Sequence, residues 1–281
     1  MTAPAFVSAY VAEQRDALAL AFAALCVAAG AVVMGFYEAG CDMRFKGDGS
    51  PVSAADEAAE AFILARLRNI VPGLPVIAEE AAAAGHIPAA ASTFVLVDPL
   101  DGTREFISRN GEFTVNIALI ENGAPIAGAV YAPVLAALWH GGAKAQGATV
   151  APGATLAGAS EHRTLHVRPT PAEGMTALAS RSHSDKRTEA FLAGLPIRER
   201  IAAGSSLKFC RIAEGGADVY PRFGPTMEWD TAAGDAVLRA AGGITCTPEG
   251  TPLRYGKAGD GYRNGAFVAW GDAACAMVTK S

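Results

Sequence analysis

The chain has 281 residues, 51% of them hydrophobic, and its 28 acidic and 23 basic side chains give a formal net charge of −5. This length and composition predict a globular protein with a large buried core. The acidic balance and the lack of a Lys/Arg run argue against a nucleic-acid polymer as partner. Five scattered cysteines show neither CxxC nor Cys/His metal spacing, which favours a reducing compartment and buried thiols.

The first predicted element is helical and strongly apolar. Residues 17–37 carry no formal charge over 21 positions, which is long enough to span a bilayer. Eight alanines and two glycines make this segment less apolar than a typical membrane span, so we expect a packed helix, broken near Gly30 into two. No basic region precedes it, and we expect neither a signal peptide nor an integral membrane span. The expected location is cytoplasmic, with peripheral association at the inner membrane left open.

A second helix is predicted to follow, with Ser53 as its N-cap and Asp56 in its first turn, where the helix dipole favours acidic groups. It ends before Pro72-Gly73. A short apolar run at residues 75–78 leads into Glu79-Glu80, and an Ala-rich loop comes next.

Three strand-like runs come next, at residues 94–98, 113–120 and 125–134, with a hairpin turn at Asn122-Gly123. They predict an antiparallel meander. The segment 141–164 is rich in Gly, Ala and Thr, and we place a boundary there, between an N-terminal domain of residues 1–150 and a C-terminal domain of residues 151–281. The second half alternates helical and extended patterns, which indicates an α/β layer.

The sequence VDPLDGTREF carries the first chemical motif. An apolar strand ends at Asp98, and Asp101 follows three residues later on a Pro- and Gly-containing turn, so the two carboxylates can converge. Hard cations such as Mg²⁺ prefer oxygen ligands, and the turn also exposes the carbonyl of Leu100. Alone, the DPLDG segment is better explained by an ordinary turn.

Other acidic segments of the sequence favour a metal site over an ordinary turn. Glu79 and Glu80 follow a predicted strand, Asp56 begins a helix, and Asp230 stands at another helix start in WDTAAG. Each has an ordinary structural interpretation as a solvated loop, a dipole partner or an N-cap. Together with VDPLDGTREF they resemble the inositol monophosphatase superfamily, the lithium-sensitive metal-dependent phosphatases, and the resemblance covers nearly the whole chain.

The resemblance implies an α+β fold, a layered α/β/α/β/α sandwich of the inositol monophosphatase/fructose-1,6-bisphosphatase type. An N-terminal antiparallel sheet would be joined to a C-terminal α/β layer. Within the superfamily, GSSLKFC at residues 204–210 and SRSH at residues 180–183 are most similar to bacterial 3′(2′),5′-bisphosphate nucleotidases. That branch implies hydrolysis of 3′-phosphoadenosine 5′-phosphate to AMP in sulfur metabolism. Arg104 stands where the branch usually has Lys, which keeps the charge.

The resemblance also implies roles for individual residues. Two or three Mg²⁺ ions would be held by Glu79, Asp98, the Leu100 carbonyl, Asp101 and Asp230, with Glu80 orienting Glu79. Thr103 would hydrogen-bond the attacking water and be oriented by Asp56, although a helix cap explains Thr103 equally well from sequence alone. The implied substrate contacts are Gly102, Thr103, His183, Gly204, Ser205, Ser206, Lys208, Arg222, Glu228 and Asp230.

Three alternatives remain open at the level of sequence. The substrate could instead be inositol 1-phosphate or fructose 1,6-bisphosphate, because the metal centre would be the same. The chain could be a binding homologue without activity. It could be a monomer or a homodimer, and its partner in either case would be a small phosphorylated molecule.

Overall fold

The structure is a computed structural model, and it describes residues 8–40, 43–45, 51–180 and 186–278. Eight helices lie in these ranges: α1 (Ala12–Ala39), α2 (Ala54–Ile70), α3 (Glu79–Ala83), α4 (Thr103–Ile107), α5 (Lys186–Ala193), α6 (Leu207–Ala213), α7 (Trp229–Ala240) and α8 (Cys275–Val278).

Sixteen strands lie in the same ranges. They are β1 (Met43–Phe45), β2 (Pro51–Ser53), β3 (Val76–Ala78), β4 (Thr93–Asp101), β5 (Thr114–Glu121), β6 (Ala124–Ala132), β7 (Ala137–Gly141), β8 (Ala145–Thr149), β9 (Ser160–Thr164), β10 (Met175–Ser180), β11 (Ile197–Ala203), β12 (Val219–Arg222), β13 (Thr226–Met227), β14 (Ile244–Cys246), β15 (Arg263–Asn264) and β16 (Phe267–Trp270).

The first sheet has seven strands in the order β3-β4-β5-β6-β7-β8-β9. Strands β4, β5 and β6 form the predicted antiparallel meander, and β7, β8 and β9, which are not predicted from the sequence, extend it in the same manner. Strand β3 pairs with β4 in parallel, so the sheet is mixed at one edge. The predicted hairpin turn is present, since Asn122 and Gly123 both have positive φ, at 49° and 77°. Strand β9 belongs to this sheet, which therefore extends past the predicted domain boundary at residue 150.

The second sheet has five strands in the order β11-β10-β12-β16-β14. Strand β10 pairs in parallel with β11 and β12, whereas β16 is antiparallel to β12 and β14. Two short ribbons, β1-β2 and β13-β15, complete the extended structure of the described residues.

Alternating side chains divide the core into three clusters. Odd-numbered residues of β4 and β5, such as Val97 and Val115, pack against α1 and α2. Even-numbered residues, such as Leu96 and Ala118, pack with α6 and α7, which also contact the second sheet through Tyr220. The outer face of the second sheet contacts α5 and α8. The layers are therefore α/β/α/β/α, and the predicted fold class is confirmed.

Helix α7 lies very close to the first sheet. A Cβ atom added at Gly141 would lie 2.8 Å from Cα of Val237 and 2.9 Å from the carbonyl oxygen of Ala236. At this position only glycine admits the backbone of α7 without a shift. The close approach brings the first turn of α7, with Asp230, toward the sheet that carries Asp98 and Asp101.

Helix α1 is continuous from Ala12 to Ala39, so the predicted break near Gly30 is wrong. A Cβ at Gly30 would lie 2.5 Å from the ring of Tyr131 on β6, so the glycine accommodates a close helix–sheet contact rather than a break. By length and composition α1 is apolar enough to cross a membrane, but half of its most apolar 18-residue window is buried inside the protein. Its role here is that of a core helix. The Ala-rich loop predicted after Glu80 begins instead with the short helix α3.

Candidate active site

The turn after β4 presents two carboxylates. The regular pairing of β4 with β5 breaks between Asp98 and Asp101, which allows the backbone to turn around Pro99 and Leu100. The backbone N–H of Leu100 donates to Oδ1 of Asp98 over 3.0 Å, and Asp98 is 1% exposed. The turn that begins at Asp98 therefore fixes the orientation of the Asp98 carboxylate.

Gly102 connects this turn to α4. Its φ of +96° lies in the left-handed region, which strains any residue that has a Cβ. A Cβ there would also lie 3.3 Å from the carbonyl oxygen of Glu112. Glycine thus allows α4 to begin at Thr103, directly beside the carboxylates.

Glu79 reaches the same place from the neighbouring strand. The parallel register pairs Ala78 of β3 with Val97 of β4, so Glu79 and Asp98 each come one residue later, at the same edge of the sheet. Oxygen atoms of Glu79, Asp98 and Asp230 all lie within 4.8 Å of one another. Three of the four predicted carboxylate ligands, from separate parts of the sequence, therefore form one cluster.

Asp230 is fixed in the first turn of α7. Its Oδ2 atom accepts hydrogen bonds from the hydroxyl of Thr226 at 2.5 Å and from the backbone N–H of Met227 at 2.9 Å. Asp101 is fixed by the opposite half of the chain, because its Oδ2 atom accepts from Ser205 at 2.6 Å and from Ser206 at 2.9 Å.

The four carboxylates border one cavity of about 260 Å³. Three basic side chains and several groups of the neighbouring turns share the wall. The lining residues are Glu79, Asp98, Leu100, Asp101, Gly102, Thr103, Arg104, Glu105, Ser205, Lys208, Phe209, Tyr220, Arg222, Asp230 and Thr231.

Burial and mutual repulsion act on these carboxyls. Burial, followed by the charges of Glu79, Asp101 and Asp230, raises the pKa of Asp98 well above its ordinary value. Burial and the charge of Asp101 raise the pKa of Asp230 to about 6, against the hydrogen bonds from Thr226 and Met227. Clustered anions of this kind either retain protons or require a cation. A donor set made only of oxygens fits a hard divalent cation.

Thr103 and Asp56 meet beside the cluster. The hydroxyl of Thr103 donates to Oδ1 of Asp56 over 3.4 Å, and Asp56 is 2% exposed on α2. The pair is thus in contact, as the sequence predicts, and Thr103 lines the cavity.

The GSSLK segment is bonded mainly within the protein. The backbone N–H of Gly204 donates to Oε2 of Glu112 over 2.8 Å, and the hydroxyls of Ser205 and Ser206 are bound to Asp101. The Nζ atom of Lys208 donates to the carbonyls of Ala203 at 3.1 Å and Ser205 at 2.6 Å. Ser205 and Ser206 therefore position the carboxylate of Asp101, a predicted metal ligand, and the contact of all four residues with substrate stays a prediction.

Three further predicted residues differ in their placement. Arg222 lines the cavity, and its Nε atom is buried without a hydrogen-bond partner in the described ranges. Glu228 is fully buried and lies outside the cavity wall, because its carboxylate accepts the backbone N–H groups of Gly256 and Lys257 and pairs with the Lys257 ammonium. We assign Glu228 to the support of that loop instead of to substrate. His183 lies outside the described residues.

Three residues that support the site are not identified as functional from the sequence. Glu60 accepts the backbone N–H groups of Glu80 and Ala81, whereas Glu112 and Thr226 hold Gly204 and Asp230. Glu60 alone had a visible pattern, since it stands four residues after Asp56 and shares its helix face. The orienting role predicted for Glu80 is not tested by its backbone contact with Glu60.

Comparison with known proteins places this geometry in context. The model of the inositol monophosphatase family matches residues 13–274. The chain belongs to the inositol monophosphatase family. This confirms the resemblance seen in the motifs, and with it a metal-dependent family of enzymes.

Individual relatives point to one branch of the family. The chain is 44% identical to the 3′(2′),5′-bisphosphate nucleotidase CysQ of Salmonella typhimurium over 81% of this chain and 89% of that protein. The crystal structure of CysQ from Bacteroides thetaiotaomicron is 38% identical, covers 90% of this chain and 97% of its own, and superposes with a TM-score of 0.76. An inositol monophosphatase from Zymomonas mobilis is 25% identical, with coverages of 98% and 99% and a TM-score of 0.72.

The matched regions cover between 89% and 99% of these relatives. The sequence similarity is greater to the bisphosphate nucleotidases than to the inositol monophosphatase. The expectation of peripheral association at the inner membrane finds no support in these comparisons, and we drop it.

Proposed function

We propose that the protein is a Mg²⁺-dependent 3′(2′),5′-bisphosphate nucleotidase. It would hydrolyse the 3′-phosphate of 3′-phosphoadenosine 5′-phosphate to yield AMP and inorganic phosphate, and the sulfated nucleotide is a second candidate substrate. The observation that carries this proposal is the cluster of Glu79, Asp98 and Asp230 beside the Thr103–Asp56 pair. The high identity to bisphosphate nucleotidases supports the choice of substrate.

The residues fit two or three Mg²⁺ ions. Glu79, Asp98, Asp101, Asp230 and the Leu100 carbonyl would supply the ligands, since all line the cavity and all offer oxygen. When bound, Mg²⁺ lowers the pKa of water, polarises the phosphate and neutralises charge on the departing oxygen.

The chain's own residues would handle the proton. The attacking water gives a proton to the Thr103 hydroxyl as its oxygen bonds to phosphorus, and Thr103 passes its own proton to Asp56. The bond between phosphorus and the ribose 3′-oxygen breaks, and that oxygen leaves with AMP and takes up a proton from solvent, to which Asp56 then releases its own. The backbone N–H groups of Gly102 and Thr103 would bind the phosphate at the start of α4.

Basic side chains on the cavity wall would hold the anionic substrate. Burial opposes the charge of Arg222, but the neighbouring Tyr220, Asp230 and Asp101 outweigh it and raise the pKa of the guanidinium. Because Arg222 lines the cavity, its guanidinium is suited to bind a substrate oxygen. Arg104 on α4 would contribute a second guanidinium.

A phosphate-release panel tests the proposal. The purified protein is assayed with 3′-phosphoadenosine 5′-phosphate, inositol 1-phosphate and fructose 1,6-bisphosphate, each with and without Mg²⁺. We expect the highest kcat/KM with the nucleotide and no turnover in EDTA. Asp98→Asn should abolish turnover, whereas Asp272→Asn, which replaces a carboxylate outside the cavity, should not. Faster hydrolysis of either other substrate would contradict the assignment, and no Mg²⁺-stimulated release from any would indicate an inactive binding homologue.

The remaining expectations follow the same proposal. We expect inhibition by lithium, a cytoplasmic location and a monomer or homodimer. Size-exclusion chromatography with light scattering decides between the last two.

A further inference from the structure

Helix α2 contacts both chemical parts of the candidate site. Asp56 and Glu60 stand four residues apart on this helix, so they project from one face, and they are only 2% and 5% exposed. Asp56 accepts from Thr103 at the start of α4. Glu60 instead faces the start of α3, the helix whose first residue is Glu79.

Glu60 satisfies the amino-terminal end of α3. Its Oε2 atom accepts the backbone N–H of Glu80 over 2.7 Å, and its Oε1 atom accepts that of Ala81 over 2.8 Å. The first N–H groups of a helix have no partner within the helix, and a buried carboxylate at this end is favoured both by hydrogen bonding and by the helix dipole. The cap residue of α3, Ala78, has no side-chain acceptor of its own.

Glu60 therefore supplies from α2 the acceptor that the local sequence lacks. A five-residue helix has too few internal hydrogen bonds to hold its first turn by itself. Because Glu79 is the first residue of that turn, its carboxylate position depends on the turn being closed. Strand β3 fixes the residue before it, through the pairing of Ala78 with Val97.

We propose that Glu60 is a positioning residue for the metal site, which holds Glu79 in place through the backbone of α3. This inference rests on the metal dependence in the proposed function. It assigns α2 two duties, the orientation of Thr103 through Asp56 and the orientation of Glu79 through Glu60. Glu60 itself does not line the cavity and would not touch the cation.

The test is a titration of metal-free protein with Mg²⁺, in which calorimetry measures binding. Glu60→Gln keeps the shape but places an NH₂ group against one of the two backbone donors. We expect the Kd for Mg²⁺ to rise about tenfold, as for other residues that orient metal ligands. At saturating Mg²⁺, kcat should stay within about twofold of the wild type, because the Thr103–Asp56 pair is untouched.

Asp16→Asn is the matched control. Asp16 also accepts two consecutive backbone N–H groups, those of Ala143 and Lys144 at 2.7 and 3.0 Å, and lies outside the cavity wall. It should lose thermal stability without any change in the Kd for Mg²⁺. A Glu60→Gln variant that melts earlier but keeps the wild-type Kd would overturn the proposal, because Glu60 would then be structural only.

A second variant covers the case in which Glu60→Gln does not fold. Glu60→Asp keeps the charge but withdraws the oxygens by one methylene, and we expect a Kd raised about fivefold; a wild-type Kd there would equally overturn the inference. Calorimetry needs no turnover. Wild-type protein that binds Mg²⁺ but hydrolyses none of the three phosphates would therefore refute the proposed function alone.

Discussion

The hydroxyl oxygen of Ser206 lies 2.9 Å from Oδ2 of Asp101, which joins the second half of the chain to the turn after β4 in the first half. The same hydroxyl lies 2.9 Å from the carbonyl oxygen of Asp230. Ser206 is 1% exposed, so these contacts are shielded from water. One side chain thus contacts the carboxylate of Asp101 and the backbone of Asp230, two residues that are distant in sequence.

The first prediction concerns this serine. Ser206→Ala removes the donor to Asp101 and should raise the Mg²⁺ concentration needed for half-maximal activity about tenfold, because the ligand loses orientation. The KM for nucleotide at saturating Mg²⁺ should change less than twofold. Thr149→Ala, on the far strand β8, is the control for loss of a hydroxyl. A raised nucleotide KM with unchanged Mg²⁺ dependence would instead make Ser206 a substrate contact.

The second prediction concerns the Thr103–Asp56 pair. Thr103→Val keeps the side-chain shape but removes the hydroxyl, and should lower kcat about a hundredfold with little change in Mg²⁺ affinity. Thr103→Ser restores a hydroxyl and should recover most of the activity. Asp56→Asn should resemble Thr103→Val. Steady-state kinetics at saturating Mg²⁺ measures all three, and normal turnover in Thr103→Val would exclude the proposed proton path.

Much of this site is predictable from sequence because each motif is local. VDPLDGTREF contains its own strand end and turn, and Gly102 has the left-handed φ that the Asp-Gly turn implies. The alternation along β4 and β5 likewise predicts the faces of the sheet. The meander and the Asn122-Gly123 turn follow from short-range patterns and are found in the structure.

The supporting contacts are not predictable in this way. From the sequence, Gly204, Ser206 and Lys208 resemble substrate-binding residues because they offer N–H, hydroxyl and ammonium groups. Their hydrogen-bond partners in the structure are instead residues about 100 positions away or in the adjacent loop. Glu228 stands beside WDTAAG but turns toward Gly256. Most of these pairings join segments that are distant in sequence, which no local pattern expresses.

The third prediction concerns pH and the metal-free protein. The pKa of Asp230 is raised to about 6 when folded, from 3.8 in an ordinary environment. Between these values the folded chain keeps a proton that the unfolded chain has lost, so this group's contribution to stability falls as pH rises through about 6. The raised pKa of Asp98 acts in the same direction.

Metal-free wild type should therefore lose stability relative to Asp230→Asn as pH rises from 4 to about 6, and should keep that deficit up to pH 8. Mg²⁺ should stabilise the wild type strongly at pH 8 and weakly at pH 5. It should stabilise Asp230→Asn much less than the wild type at pH 8. Thermal unfolding of both proteins across this range, with and without Mg²⁺, measures the effect. A stability difference that does not vary with pH would contradict it.

The fourth prediction separates support from substrate binding at Lys208. This side chain is 2% exposed, and its ammonium bridges the carbonyls of Ala203 and Ser205. Lys208→Met keeps the apolar stem but leaves both carbonyls without this donor, which should cost about 2 kcal/mol of stability. Because Ser205 in turn binds Asp101, the Mg²⁺ requirement should rise while the nucleotide KM stays within about twofold. Lys144→Met, at an exposed position, is the control. A tenfold rise in nucleotide KM with unchanged thermal stability would place the ammonium on the substrate, since loss of a phosphate contact weakens binding and leaves the loop intact.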